Sequence, residues 1–464
     1  MRIKTRIFAA LFIALFAVSF LLTTTIYASD VINVSIEWEV VSFEGQPPVI
    51  VDGRTLVPVR GVFEQLGFDV SWNDTTRQAM LVNDEYVVLL NIGSDIFTVN
   101  GREYTLDVTA QIIGGSTMLP IRAVLESVGY YLNWFEETQT VFISTTPFER
   151  PDYITIRGVQ YSTDLTSLDL SSMGLTNADI VPLRYMMNLT ELNLLINQIS
   201  DLTSLSSLTN LNQLQLGANQ ISDLTPLSSL ASLIELELTD NQISDLTPLS
   251  NLANLTRLSL LFNQISDLSP LSGLSNLNVL ELIYNQINDL TPLSALTNLN
   301  WLSLDTNQFA DITPLSTLTN LIYLSLGGNQ ISDLTPLSNL TGLTDLRLGG
   351  RQLNNLAPLS NLTNLRRFFL NDTSISDLVP LSNLTNLYRL HLQDNKISDL
   401  TPLSNLASLR ILLLSDNDIS NLIPLSDLMN LEYLELIDNP ISDLSPVAHI
   451  DNVVTTRWSD TGNN

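Results

Sequence analysis

The 464-residue sequence predicts an α/β repeat solenoid, each coil adding one strand to a parallel sheet, preceded by a small duplicated α+β module. Three observations carry that prediction. From Leu165 a leucine-rich unit recurs, its leading Leu at 189, 211, 233, 255, 277, 299, 321, 343, 365, 387, 409 and 431, always 22 residues apart. Within each unit apolar and polar residues alternate, as in a strand with one buried face. Between Ser29 and Thr145 the 22-residue period is absent, and a different duplication, offset by 62 residues, takes its place.

The repeats occupy residues 165–458 as thirteen units, the first two residues longer than the rest, with Val453-Val454 opening a partial terminal coil. The Leu211 unit reads LNQLQLGANQISDLTPLSSLAS and the Leu233 unit LIELELTDNQISDLTPLSNLAN. In the Leu189 unit, Leu192 and Leu194 face inward, and Glu191, Asn193 and Leu195 fall on the exposed side of the alternation. One coil cannot bury its leucines alone, so neighbours must stack. An Asn follows each strand: Asn197, Asn219, Asn241, Asn263, Asn285, Asn307, Asn329, Asn395, Asn417 and Asn439. There the amide can satisfy backbone groups as the chain leaves the sheet, and stacked coils make of these amides a structural ladder. Arg351 and Thr373 interrupt the ladder, either as drift or as a local change of coil shape that serves binding. Thr-Pro-Leu follows, as at Thr225-Pro226-Leu227, giving Thr as N-cap and Pro at the first position of a short helical turn. The Asp column just before it (Asp245, Asp267, Asp289 and their equivalents) suits capping of free amides. A calcium site built from those carboxylates is the weaker reading, and no metal or cofactor is expected.

Each unit contains L-x-x-L-x-L-x-x-N, the leucine-rich-repeat signature. The longer pattern N-x-I-S-D-L-T-P-L-S-x-L-T-N-L resembles the 22-residue repeats of the bacterial internalin family from about Leu165 to Val454. That resemblance implies a curved solenoid with parallel strands on the concave face and short 3-10 turns on the convex face. It further implies recognition of a protein or glycan ligand by the concave face. No immunoglobulin-like module and no L-P-x-T-G sorting signal follow the repeats, so covalent wall attachment and host-cell invasion are not expected.

Residues 29–147 form the duplicated module. Thr55–Gly67 (TLVPVRGVFEQLG) parallels Thr117–Gly129 (TMLPIRAVLESVG), and Trp72 and Trp134 keep the same offset. Each half reads as a strand ending in Pro, a short amphipathic helix closed by Gly67 or Gly129, and strands through the Trp. Val62, Phe63 and Leu66 share one helical face. The pattern G-R-T-L-V-P-V-R-G-V-F-E-Q-L-G…W resembles the stalk-like copper amine oxidase N-terminal domain over roughly residues 45–145. Copper needs imidazole ligands, and the module has no His, since the chain's two are His391 and His449. Arg60 and Arg122 suit either an ion pair with Glu64 and Glu126 or contact with a wall anion. Residues 148–164, with β-prone Ile154-Thr155-Ile156, link the parts and cap the first coil, and residues 459–464 read as a disordered tail.

Residues 1–28 read as a secretory signal peptide. Arg2, Lys4 and Arg6 precede an apolar run from Ile7 to Leu22, and Ala28 precedes Ser29 and Asp30. An uncleaved membrane anchor is the rival reading. The chain is therefore expected to be secreted or held at the surface of a bacterium, of Gram-positive type. Loss of those three positive charges takes the net charge from −28 to −31. Such a chain repels nucleic acid and anionic lipid, so neither nucleic acid nor membrane beyond the leader is an expected partner. With no Cys there is neither a disulfide framework nor a thiol nucleophile.

Three functions compete. An enzyme is disfavoured, because His391 and His449 lie more than two coils apart, and a carboxylate pair such as Glu235 and Glu237 on an open sheet lacks the cleft that raises an acid's pKa. A cell-envelope spacer, with the stalk-like module docking non-covalently to the wall, should carry small polar residues along its strands. A binding protein should not. The outward positions in fact change character along the array. Leu261, Phe262, Ile283, Tyr284, Trp301 and Tyr323 give an apolar, aromatic patch in the middle coils, followed by Arg347, Arg367, Phe369, Arg389 and His391. These are the expected contacts for the protein or glycan ligand.

Overall fold

The structure, a computed structural model, describes residues 32–43, 45–51, 54–135, 139–147 and 150–456. The expected leader, residues 1–28, and tail, 459–464, lie outside these residues. Two compact units are present: residues up to Asn193 with 198–212 and 225–232, and residues 194–197, 213–224 and 233 onward.

In the first unit the duplication is laid out as an antiparallel pair. The two Pro-ended strands, Arg54–Pro58 and Ser116–Pro120, lie side by side with Leu119 opposite Val57. Each runs into a helix, Val59–Phe63 or Ile121–Ser127, that ends before a glycine with positive φ, Gly67 at +81° and Gly129 at +89°. Only glycine takes this conformation without strain, which fixes both helix ends. The chain then enters a Trp-bearing strand, Asp69–Asn73 or Tyr131–Phe135. Val57, Phe63, Leu119, Val124 and Leu125 from both halves share one core with Leu81, Phe97 and Ile143. A second, aromatic cluster of Trp38, Phe135 and Phe142 packs on Tyr185 and Met187 of the first coils, and Ser206 Oγ donates to the Trp38 carbonyl at 2.7 Å. Tyr153–Ile156 and Val159–Ser162 form a hairpin ahead of the coils.

The repeats build a fourteen-stranded parallel sheet in chain order, from Ser167–Asp169 to Asn452–Val454. Coil-to-coil register is constant: Leu236 sits beside Leu258, Leu258 beside Leu280 and Leu280 beside Leu302. All of these leucines are buried. Beyond each strand, the eighth residue of the unit turns into the left-handed region, at φ +54° for Phe262, +56° for Tyr284 and +55° for Thr306. The Asn that follows closes the turn. Asn263 Nδ2 donates to the carbonyls of Leu260 and Leu261 at 3.2 Å and to Leu238 of the preceding coil at 3.0 Å. Its Oδ1 accepts from the Ile243 N–H at 3.0 Å.

The other ladder positions vary this pattern. Asn197, in the first regular coil, donates to the Leu194 and Leu195 carbonyls at 2.9 and 3.3 Å. Asn219, Asn241, Asn285 and Asn307 each reach a carbonyl of the preceding coil at 2.9–3.1 Å. Asn329, Asn395, Asn417 and Asn439 do the same at 2.8–2.9 Å. On the acceptor side, Asn241, Asn285, Asn307, Asn417 and Asn439 take the N–H of an Ile one coil back at 2.9–3.0 Å. The pattern changes on either side of the gap at Arg351 and Thr373. Asn329 Oδ1 accepts from the Asn307 N–H at 3.1 Å instead, and Asn395 Oδ1 accepts from Thr373 Oγ1. The acceptor half of the ladder thus changes partner at both edges of the gap. Within the gap the strands lengthen to five residues, Asp345–Gly349 and Arg367–Asn371, instead of three, and Arg351 pairs with Asp372.

One capping assignment needs correction. Thr is not the N-cap of the convex turn but its first residue, as in the 3-10 turn Thr247–Leu249, and the Leu246 before it makes no side-chain cap. The Asp two residues upstream does the capping: Asp245 Oδ1 accepts from the Thr247 N–H at 2.8 Å. Asp289, Asp333 and Asp399 repeat the bond, and Asn355 and Asn421 substitute for Asp in the same role. The hydrogen bonds from the capped residue hold these Asp carboxyls below their usual range.

Candidate functional site

The third and fifth residues of each unit stand on the outer face of the sheet, and constant register brings those of successive coils into columns. Trp301 and Tyr323 occupy the third position of adjacent coils and stack in parallel, ring centroids 3.7 Å apart at 5°. Trp301 Nε1 donates to Ser303 Oγ at 3.1 Å, which fixes the indole. Tyr323 is only 6% exposed, and burial pushes its phenol up.

Arg347, in the fifth position, lies over Tyr323 at 5.7 Å and over Phe369 at 4.6 Å. Phe369 meets His391 edge-on at 4.5 Å and carries Arg389 at 5.6 Å on the ring. Arg389 Nε donates to His391 Nε2 at 2.9 Å. Burial, then Arg389 and Arg347, push the imidazole down to about 4, so it is neutral and its Nε2 accepts. Trp301, Tyr323, Arg347, Phe369, His391 and Arg389 therefore form one line of contacts through five successive coils. Arg367 behaves differently. It is ion-paired with Asp345, which is itself buried, so its charge is already committed within the fold.

The expected single apolar patch in the middle coils is divided. Phe262 and Tyr284 stack at 4.7 Å where the chain leaves the strand, and Tyr284 is 45% exposed. Ile283 beside them is half-buried. Leu261, expected outside, is buried, and so is Leu195 at the equivalent position. At this seventh position the alternation fails in these two units, just before the left-handed turn at Ile196 and Phe262.

The ladder asparagines stand apart from this line. Asn197, Asn241, Asn263, Asn285, Asn307, Asn329 and Asn417 are buried, whereas Asn219, Asn395 and Asn439 are half-buried. Their amides are spent on the backbone of their own and the preceding coil, so they shape the strand exit.

Carboxylates supply the larger correction. Glu237, assigned to an open sheet, is 6% exposed. Its Oε1 accepts from the Thr239 N–H at 2.9 Å, whereas Oε2 is buried without a hydrogen-bond partner. Space for that oxygen exists because residue 217 is glycine: a Cβ there would lie 2.2 Å from it. Burial pushes the Glu237 carboxyl up to about 7. Glu281 is also buried and pushed up. Asp305 Oδ1 accepts from Ser325 Oγ at 2.6 Å and from the Gly327 N–H at 3.1 Å, and burial raises it too. An open sheet thus raises an acid's pKa when neighbouring coils cover it. No group of three or more His, Cys, Asp or Glu side chains among the described residues is placed to hold a metal ion.

A second amide column escaped the sequence reading. Asn276, Asn298 and Asn320 donate to the carbonyls of Ala253, Ser275 and Thr297 of the preceding coils at 2.8–2.9 Å. They line an open groove with Asn278 and Asn300. The signal was the Asn of L-T-N-L (L-S-N-L at Asn276), periodic like the ladder Asn. In the N-terminal module, Arg60 pairs with Glu64 and Arg122 with Glu126, each at 3.1 Å. Arg60 and Trp72 line a cleft of about 980 Å³, where Trp72 Nε1 donates to Asp74 at 2.6 Å.

Two families of known proteins match separate stretches of the chain. Residues 36–143 match the family described as copper amine oxidase N-terminal domain, and residues 231–273, 319–361 and 363–405 match leucine-rich repeats in two copies. An internalin of Listeria monocytogenes, InlF, is 36% identical, with a TM-score of 0.61, over 66% of this chain and 91% of that one. A leucine-rich-repeat protein of Leptospira interrogans is 25% identical, with a TM-score of 0.52, over 62% and 81% of the two chains. A curated protein of Brevibacillus choshinensis named "Protease inhibitor" is 30% identical over 86 residues, 18% of this chain. The match spans about a quarter of that relative's length, 26%. No helix among the described residues is long and apolar enough to cross a membrane.

Proposed function

Because this chain belongs to the internalin family of leucine-rich-repeat proteins, we propose that it is a secreted or surface-held bacterial binding protein that grips a protein ligand on the strand face of its repeats, without catalysis. The observation that carries the reading is the line Trp301–Tyr323–Arg347–Phe369–Arg389. Aromatic rings and arginines in contact are the composition of interface hot spots, and here they replace the small polar residues of a spacer. The N-terminal module serves as the non-covalent tether to the envelope. The spacer reading retains one observation in its favour, the lateral stacking that hides Tyr323 and His391 from solvent.

The test is capture of a partner from secreted and surface proteins with the full chain, followed by affinity measurements on variants. Trp301→Ala and Arg347→Ala should each cost roughly 1–3 kcal/mol of binding, with little change in melting temperature. Asp245→Ala on the convex side should bind as the parent does. A partner that responds to Asp245 and ignores Trp301 and Arg347 would refute the strand-face site. Arg367 is unsuited to this test, since its loss strands the buried Asp345.

A further inference from the structure

Arg347 and Arg389 stand two coils apart in contact with one ring, Phe369. Their guanidinium carbons lie 4.6 and 5.6 Å from that ring's centroid, so they are no more than about 10 Å apart. In the same region Arg351, Arg367 and Arg410 each pair with a carboxylate, Asp372, Asp345 and Glu432. Neither Arg347 nor Arg389 has a carboxylate within ion-pair distance among the described residues. Two guanidinium groups without an ion-pair partner, held in place by a shared aromatic contact, stand out on a chain of net charge −28. His391 registers the resulting field. It lies between Phe369 and Leu413 in the sheet, and both arginines act against its protonation. The nearest acid in its column, Glu435, is two coils on and engaged with Gln393 and Ser415.

We propose that Arg347 and Arg389 form an anion subsite for two carboxylates, three residues apart, on an extended acidic segment of the protein ligand. This rests on the strand-face reading above. An extended segment of the polyproline type rises about 3.1 Å per residue with three residues per turn, so side chains i and i+3 project on one side about 9 Å apart. That fits the span between the two guanidinium groups set by their shared contact with Phe369. A dense polyanion such as a sulfated glycan fits less well, because it would also meet Asp345 in Arg347's own coil and Asp305 two coils back. A peptide carrying two isolated carboxylates avoids them.

Histidine is the reporter, since the chain has only two. In the full chain labelled with 13C-histidine, His391 is assigned by loss of its signal in His391→Gln. Its midpoint should lie near 4. The probes are acetyl-Glu-Pro-Pro-Glu-amide, its Gln counterpart and a heparin-derived tetrasaccharide. The Glu peptide should raise the His391 midpoint, because nearby negative charge favours imidazolium, and the Gln peptide should not. Arg347→Gln and Arg389→Gln should each weaken Glu-peptide binding at least tenfold, with the melting temperature nearly unchanged. Equal shifts from the Glu and Gln peptides, or parent-like binding by either variant, would overturn the subsite. Preferential binding of the tetrasaccharide would overturn the peptide assignment. If Trp301→Ala abolishes capture of the protein partner while the Glu peptide leaves His391 unmoved, the subsite alone fails. If Trp301→Ala has no effect on capture, the strand-face reading fails first.

Discussion

Replacing Glu237 by Gln should remove a pH dependence of stability between about pH 4.5 and 7. In the folded chain burial raises this carboxyl from 4.5 to about 7. A raised acid pKa means that the native state holds the proton more tightly than the unfolded chain. Stability from this group is therefore complete below pH 4.5 and is lost as pH rises through 7. At 1.36 kcal/mol per pH unit the loss is about 3 kcal/mol. Gln keeps the oxygen that accepts from Thr239 and places an amide where Oε2 now lies unpartnered, at a pH-independent cost of about 1–3 kcal/mol. That offset shifts the variant's curve without tilting it. Glu281 and Asp305, also raised by burial, tilt parent and variant alike. The convex Asp caps, whose pKa values are lowered, act in the opposite sense, losing stability only as pH falls through the acid range. Urea unfolding of both proteins at half-unit steps from pH 4.5 to 8 isolates Glu237 as the difference between the curves. A difference that stays flat across that range would refute the burial argument.

Two further outcomes follow from the coil geometry. Leu302→Ala should cost about 2–5 kcal/mol by cavity formation, and Ser303→Asp on the opposite face should also be clearly destabilising, because Ser303 is 2% exposed beneath Trp301. A mild Ser303→Asp by calorimetry would contradict the packing of that column. Asn263→Ala removes three amide donations and one acceptor and should cost more than Asn355→Ala, which loses a single exposed cap; equal shifts in melting temperature would contradict the ladder's role.

The backbone of the repeats was legible because its determinants are local and periodic. Leu at fixed spacing, Asn at the strand exit, Asp ahead of the turn and Pro within it each act inside one coil or on the next, so a 22-residue window contains the whole instruction. The error over Thr and Asp shows the limit: both types cap, and only the turn's first hydrogen bond decides which does. The altered acceptor partners of Asn329 and Asn395 show another, since each depends on what the adjoining coil places opposite the amide. The duplicated module was legible as strand, helix and strand, from Pro58, Gly67 and their partners Pro120 and Gly129. That its two halves pair antiparallel through Val57 and Leu119 is a long-range fact that no window holds.

Exposure on the strand face follows a different logic, and it explains which site residues were misjudged. Alternation fixes the direction of a side chain, and the adjacent coils, one strand away on either side, fix whether water reaches it. Ser303 points outward and is covered because Trp301 bonds down onto it. Tyr323 points outward and is covered by Trp301 on one side and Arg347 on the other. Glu237 is covered because Gly217, one coil back, leaves room for its carboxyl to lie against the backbone, and Asp305 sits beside Gly327 one coil on. These cases become legible when the units are aligned and each outward residue is compared with the same and the neighbouring outward positions of adjoining coils: a glycine beside an acid marks a covered carboxylate, and an arginine beside two aromatics marks a held cation. By that rule the free chemistry of this face is not the whole list of outward residues. It is the subset whose column neighbours leave a charge or a ring edge uncommitted, and Arg347, Arg389 and the outer edge of Trp301 meet that condition.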